Sequence, residues 1–267
     1  MKKIRAACIQ MDAGNDLKKN LAKSHKFFLK AVSLKSNWIT FPENFLFRGP
    51  SAGLKRAAEQ TPEVIRFFQT LAKKYKVCIL LGSLFEKAQG RKVFNTSVLI
   101  NERGSVTGRY RKIHLFDSNL PGARCLESTS IQSGNKIVSC RIHGIQTGLS
   151  VCYDLRFPEL FRALSSRGAR VLFMPANFTE TTGKAHWEIL LKARAIENLS
   201  FVIAPGQVGT HPETKIKSFG TSLILDPWGK VLAKGSRSKE QVLTADLDFQ
   251  GQSKIRKKFP VLQHIRL

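Results

Sequence analysis

Thiols are the best nucleophiles in this chain, and there are five: Cys8, Cys78, Cys125, Cys140 and Cys152. An odd set without a C-x-x-C pair predicts reduced thiols in a cytoplasmic setting, not a disulfide framework or a zinc ribbon. Cys152 differs from the rest in its surroundings. It follows the strand-like run GIQTGLSVC and precedes a helical pattern that begins near Phe157. Such a strand-to-helix elbow exposes a nucleophile beside backbone N–H groups and a helix N-terminus, which lower a thiol's pKa and can stabilise an oxyanion. The other four cysteines read as small buried hydrophobes.

A cysteine nucleophile needs a base. None of the six histidines, His25, His114, His143, His186, His211 and His264, sits in a local signature that recommends it. His186-Trp187-Glu188 matches the H-x-E half of a zinc-deaminase motif, but no P-C-x-x-C follows. Charged residues at strand ends are better placed. Glu43 in WITFPENF and Arg111 and Lys112 in GRYRKIHLFD each follow a strand pattern, and α/β sites collect at sheet termini. Taken singly, each reads equally well as part of a solvated surface. Together with Cys152, Glu43 and Lys112 make a carboxylate, an ammonium and a thiol that strand ends could bring to one place.

The elements that must position them alternate. IRAACIQM reads as a strand, Leu17 to Ser33 as a basic amphipathic helix and NWITF as a strand. A helix is predicted to start at Pro62 and run through EVIRFFQTLAKKY, ahead of the nearly all-apolar strand VCILLGSLFE. FNTSVLINERGSVTGRY reads as a hairpin, and DLRFPELFRALSSRG as a helix with Pro158 in its first turn and Gly168 at its stop. ARVLFMPANF and FVIAPGQ are strands around the helix HWEILLKARAIEN, and TSLILDPWGKVLAKG is a second hairpin. No linker or repeat divides the 267 residues, so residues 1–267 are expected to form a single domain. The pattern implies an α/β fold with a mixed sheet system, which a three-layer or a four-layer arrangement would satisfy.

Composition excludes disordered, collagen-like and disulfide-rich classes, with 42% hydrophobic and 24% charged residues. Arg5, Gln10 and Asp12 interrupt the first apolar stretch too early for a signal peptide, and no apolar run reaches the ~18 residues of a membrane span. The net charge of +25, from 44 basic and 19 acidic residues, suggests anionic partners and raises the rival reading of a nucleic-acid-binding protein. Its basic clusters, such as Lys18-Lys19, Lys73-Lys74 and Lys254 to Lys258, are dispersed and lack an aromatic or helix-turn-helix signature. No specific nucleic acid is therefore expected.

FPENF, YRKIHLFD and VCYDLRFPELFRAL, in that order, resemble the three catalytic signatures of the nitrilase superfamily of carbon-nitrogen hydrolases. The resemblance runs over nearly the whole chain. PANFTETTGKAHWEILLKARAIEN and the DPWGKVLA hairpin are similar to its Nit-type branch, close to deaminated glutathione amidase and ω-amidase. The resemblance implies a four-layer α-β-β-α sandwich, a Glu43-Lys112-Cys152 triad and an auxiliary carboxylate at Glu127. It implies Lys112 and the Tyr153 backbone N–H as oxyanion donors, a thioester intermediate, a homodimer, and no metal or organic cofactor. The implied substrate is a small anionic amide, a short aliphatic carboxamide cleaved to carboxylate and ammonia. Deaminated glutathione comes first, and an α-keto-acid ω-amide or an N-carbamoyl compound is the alternative. Phe178, Thr182, Lys184 and His186 are expected to border the substrate pocket, with Lys184 standing where a Pro is common. QSGN at 132–135, another departure from the pattern, is expected to be a surface turn.

Overall fold

Strand β1 (Ile4–Gln10) is apolar on both faces because each face meets a different core: Ala6 and Cys8 enter one hydrophobic cluster, Ala7 and Ile9 another. The computed structural model describes residues 4–266. The same two-sided burial recurs in β2 (Trp38–Thr40) and β3 (Cys78–Lys87), where Trp38 and Leu80 face one cluster and Ile39, Ile79 and Leu81 the other. Strands buried on both faces read as continuous apolar runs.

These three strands run parallel in a six-stranded sheet ordered β14-β1-β2-β3-β4-β5, completed by β4 (Val93–Ile100), β5 (Val106–Arg111) and β14 (Gln241–Leu247). The second sheet has six strands ordered β13-β12-β11-β10-β9-β8. They are β8 (Ser139–Ile142), β9 (Ile145–Leu149), β10 (Val171–Phe173), β11 (Phe201–Ala204), β12 (Leu223–Leu225) and β13 (Val231–Lys234). Here β9, β10 and β11 are the parallel members. A two-residue pair, β6 (Asp117–Ser118) with β7 (Cys125–Leu126), stands apart.

Helices α1 (Leu17–Ser33) and α2 (Leu54–Tyr75) cover the first sheet, and α3 (Pro158–Ser166) and α5 (Glu188–Glu197) the second. The layers are thus α-β-β-α. A single turn, α4 (Glu180–Thr182), and a π turn over Gly183–Trp187 lead into α5, and α6 (Phe249–Lys258) follows β14. Helix α2 corrects the sequence expectation: it begins at Leu54, eight residues before Pro62, which lies inside it. An internal proline costs a helix about 3 kcal/mol. Here the buried stripe Leu54, Ala57, Ala58 and Thr61 continues into Ile65 and Phe68, and that burial outweighs the loss.

Candidate active site

Three strand ends deliver the charged groups. Glu43 follows β2, and its loop lies so close to β3 that a Cβ on Gly82 would stand 1.7 Å from the Phe41 carbonyl oxygen. The Gln207 amide donates to the Glu43 carbonyl at 2.8 Å, which ties the loop to the second sheet. Lys112 is the residue after β5; its N–H donates to Asn95 O and its carbonyl accepts from Gly134 N–H, each at 2.8 Å. The QSGN segment is therefore more than a surface turn, since a Cβ on Gly134 would meet Arg111 O at 2.2 Å.

Cys152 comes three residues after the end of β9 and has φ of +51°, a left-handed conformation that costs a non-glycine residue energy and is found at functional sites. Asp154, fully buried, holds this elbow: it accepts from Val151 N–H at 2.7 Å, from the Tyr110 hydroxyl at 2.7 Å and from His114 N–H at 3.2 Å. The Cys152 N–H is taken by Pro175 O at 2.9 Å. The next N–H, that of Tyr153, falls at the start of the 3-10 turn Cys152–Arg156, where amides lack partners within the turn. The Tyr153 ring packs on Phe116 and Phe157.

These groups meet at one cavity of about 490 Å³, whose walls include Glu43, Lys112, Glu127 and Cys152. Lys112 Nζ donates to Glu43 Oε1 at 3.1 Å and to both Glu127 oxygens at 3.0 and 2.8 Å. All three ammonium protons are thus committed. Burial opposes the Lys112 charge, but Glu127 and Glu43 beside it more than compensate and hold its pKa well above the usual lysine range. Burial, and then the Glu43 charge, push the Cys152 thiol well above the usual cysteine range, against the opposing pull of Lys112. The resting site therefore holds a neutral thiol beside an ammonium. The Glu43 carboxylate raises the thiol's pKa and the Asn177 N–H lowers it, so both act on the thiol at short range.

Glu43 has an asymmetric environment. Its Oε1 accepts from Lys112 and from Asn95 Nδ2 at 2.9 Å, while Oε2 accepts from Asn177 N–H at 2.7 Å. A carboxylate oxygen has about two acceptor sites, so Oε2 keeps one for the thiol. Glu127 Oε2 also accepts from Phe116 N–H at 2.7 Å.

The expected contacts of Phe178, Thr182, Lys184 and His186 are corrected: none of the four borders the cavity. Asn177 and Thr179 do, and in an extended segment the residue between them points the other way. Phe178 packs instead on Trp187, with ring centroids 4.9 Å apart. Thr182 shares a hydrogen bond with Thr179 at 2.8 Å, Lys184 pairs with Glu180 at 3.3 Å, and His186 meets Arg156 at 3.2 Å. Besides Lys112, the Lys and Arg side chains that reach the cavity are Arg48, Arg124 and Lys217. Arg48 is buried and occupied by Asp12, Ala13 O, Val208 O and Ser218, whereas Arg124 and Lys217 are exposed at the rim. Asn95 and Asn177 escaped the sequence reading, although the polar run Asn-Thr-Ser within FNTSVLI was a signal that something buried needed hydrogen bonds.

Among the described residues, one group has the spacing of metal ligands: Cys78, Glu102 and His143, outside this cavity. Trp38 Nε1–H donates to His143 Nδ1 at 3.0 Å, which fixes the neutral ring's proton on Nε2, toward Glu102 at 3.4 Å. The nitrogen that would bind an ion is thereby blocked.

Residues 5–257 match the family model described as carbon-nitrogen hydrolase. The chain is 40% identical over 271 residues to the deaminated glutathione amidase of Synechocystis sp., covering 99% of this chain and 98% of that protein. It is 35% identical to the deaminated glutathione amidase of Homo sapiens, over 97% of this chain and 81% of the relative. Among solved structures it resembles the C. elegans NitFhit protein with a TM-score of 0.92 and 35% identity, covering 99% of this chain and 65% of that longer one. A carbon-nitrogen hydrolase from Helicobacter pylori matches with a TM-score of 0.88 and 26% identity, over 99% and 95% of the two chains.

Proposed function

This chain belongs to the carbon-nitrogen hydrolase family, and on that premise we propose that it is an amidase hydrolysing a small carboxylate-bearing amide through a thioester on Cys152. Deaminated glutathione, after which several relatives at 34–40% identity are named, is the first substrate choice, and an α-keto-acid ω-amide or N-carbamoyl compound the second. The observation that carries the reading is the Glu43 carboxylate: Oε1 is held by Lys112 and Asn95, and Oε2 has acceptor capacity left for the thiol proton.

The thiol is neutral at rest, so attack and deprotonation go together. Sγ bonds to the amide carbon as its proton passes to Glu43, and the carbonyl becomes a tetrahedral oxyanion. The Tyr153 N–H is one donor to it. Lys112 supplies a second by releasing one of its two bonds to Glu127, which keeps the other. Glu43 returns the proton to the departing nitrogen, the C–N bond breaks, and a thioester remains. Water, deprotonated by Glu43, then attacks the thioester; the released thiolate takes the proton back. From a primary carboxamide the leaving group is ammonia. Deaminated glutathione contains only substituted amide nitrogens, so from it the leaving group is an amine.

Recognition of the substrate's carboxylate falls to Arg124 and Lys217 at the rim, in place of Lys184. The apolar residues exposed on and near α5, Ile189 at 69%, Ile196 at 49%, Trp228 at 60% and Phe259 at 50%, support the homodimer, since patches of this kind mark association surfaces. A cytoplasmic setting is supported by five cysteines without a disulfide, and no helix among the described residues is long and apolar enough to cross a membrane. The test is product analysis with deaminated glutathione, α-ketoglutaramate, glutamine and N-carbamoyl amino acids. Ammonia must be followed for the primary amides and free amine for deaminated glutathione. Every member of this panel carries a carboxylate, so butyramide is included as the neutral control; its hydrolysis alone would overturn the anionic-substrate reading, and hydrolysis of none the amidase reading.

A further inference from the structure

Buried between the two glutamates is a neutral side chain with no role assigned so far. Asn95, 1% exposed in β4, directs Nδ2 at Glu43 Oε1 (2.9 Å) and at Glu127 Oε1 (3.4 Å). Its Oδ1 is buried without a partner. Both neighbours of Nδ2 are acceptors, so rotating the amide would set an oxygen against two carboxylates; the observed orientation is the one that electrostatics permits. The backbone adds a second link, because Asn95 O accepts the Lys112 N–H at 2.8 Å. A residue that leaves its own oxygen unsatisfied while binding both carboxylates is one whose amide nitrogen is what the site uses.

We infer that Asn95 is a positioning residue: its NH₂ group holds Glu43 and Glu127 apart around the single Lys112 cation and keeps Glu43 Oε2 turned to the Cys152 thiol. The inference rests on the roles proposed for Glu43 and Cys152. Two carboxylates face one ammonium in this pocket, and the Asn95 amide supplies the further N–H donors that lie between them. An acidic side chain at this position would instead set a third carboxyl against the two, and the cluster as a whole would hold a proton to higher pH. The groups facing this cluster are Glu43 from the loop after β2, Lys112 after β5, Cys125 on β7, Glu127 after β7 and Cys152 after β9.

Two variants separate positioning from packing. Asn95→Asp keeps the shape but exchanges the donor for a third acid; Asn95→Ser retains one donor in a smaller side chain. Each is compared with the wild type by kcat and KM across pH 5 to 9. The alkylation rate of Cys152 by iodoacetamide, read by peptide mass mapping, is followed over the same range. For Asn95→Asp the acid limb of kcat should move up by at least one pH unit, with at least a tenfold loss at neutral pH and KM within about threefold. The Cys152 alkylation profile should move with it. Asn95→Ser should shift both in the same direction by less. A loss of rate that is uniform in pH, or unchanged profiles in both variants, overturns the inference. Alkylation needs no substrate, so it reports on Asn95 even where the substrate assignment fails.

Discussion

Two clusters in this molecule each set a buried thiol beside a glutamate and a nitrogen-bearing side chain, and they lie at opposite ends of the same strands. One joins Cys152, Glu43 and Lys112 beyond the C-terminal ends of the parallel strands; the other joins Cys78, at the first position of β3, to Glu102 and His143 in hairpin turns. Both thiols are buried, and burial raises both above the ordinary cysteine range. They differ in everything that makes a thiol usable. Cys152 has a strained backbone, a 490 Å³ cavity in front of it and a carboxylate with acceptor capacity left over. Cys78 sits in regular strand, and its Glu102 contact at 3.4 Å ends a chain of bonds through His143 to the Trp38 indole. Chemistry here depends on unfinished hydrogen bonding next to open space, and residue type alone does not supply that.

The sharpest test replaces each thiol in turn. Cys152→Ala should lower turnover by at least ~10³-fold with the fold retained, since the nucleophile is lost and little volume with it. Cys78→Ala should leave kcat within about twofold and appear instead as a stability loss of roughly 1 kcal/mol in urea unfolding. A Cys152→Ala enzyme that retained a tenth of the activity would equate the two clusters and remove the nucleophile assignment.

The carboxylates and cations should separate next. Glu43→Gln and Lys112→Ala should each reduce kcat by at least ~10², the usual scale for a general base or an oxyanion donor. Lys112→Ala also leaves two buried carboxylates without their counter-ion and should destabilise the fold by about 3–5 kcal/mol. Glu102→Gln, part-exposed and set beside a thiol, an imidazole and the Arg103 charge, should do neither. A change in KM alone for Glu43→Gln would mark that residue as a binding group.

The comparison also shows what the sequence could reveal. Glu43, Lys112 and Cys152 were visible because each follows a strand pattern, and strand ends are where chain direction changes and side chains meet a cleft. The two-sided strands were visible as apolar runs, yet the second sheet and the two cores they face came only with the motif resemblance, because burial on both faces erases the period-2 signal. Asn95 was hidden for a different reason: it lies in mid-strand, and its partners are 52 and 32 residues away. Lys184 was misread because its charge was legible and its direction was not. The start of α2 was misread because Pro62 is a local signal overruled by tertiary burial.

Alkaline stability offers a third contrast. Folding holds the Cys78 proton because burial raises its pKa, whereas the unfolded thiol ionises near ~8.5. Its contribution is therefore intact below that pH and declines above it, by up to ~1.4 kcal/mol per pH unit, because the unfolded chain there binds fewer protons. Cys78→Ala should lose less stability than wild type between pH 8 and 10, measured as the shift in urea midpoint. Identical pH slopes would show that Cys78 ionises as easily folded as unfolded.

The smallest expected effect belongs to the rim, where solvent screens charge. Arg124 borders the cavity, is exposed and has no hydrogen-bond or ion-pair partner among the described residues, unlike Lys184, which faces Glu180. Two unit charges 4 Å apart interact by about 1 kcal/mol in water and up to about 4 kcal/mol near a protein surface. At an exposed rim the value lies toward the water end of that range, about 1–2 kcal/mol, so Arg124→Ala should raise KM for an anionic amide by roughly 5- to 30-fold, with kcat within twofold, and Lys184→Ala should change neither. The rim attraction is long-ranged, so wild-type kcat/KM for the anionic substrate should fall as salt rises from 20 to 300 mM, over which the screening length shrinks severalfold. A neutral amide of equal length should show no such fall, and Arg124→Glu should flatten or invert the trend for the anion. Equal salt responses in all three cases would mean that the charge of +25 is a general surface property. Selectivity would then reside in the shape of the cavity behind the rim, and the two clusters would differ only in their chemistry.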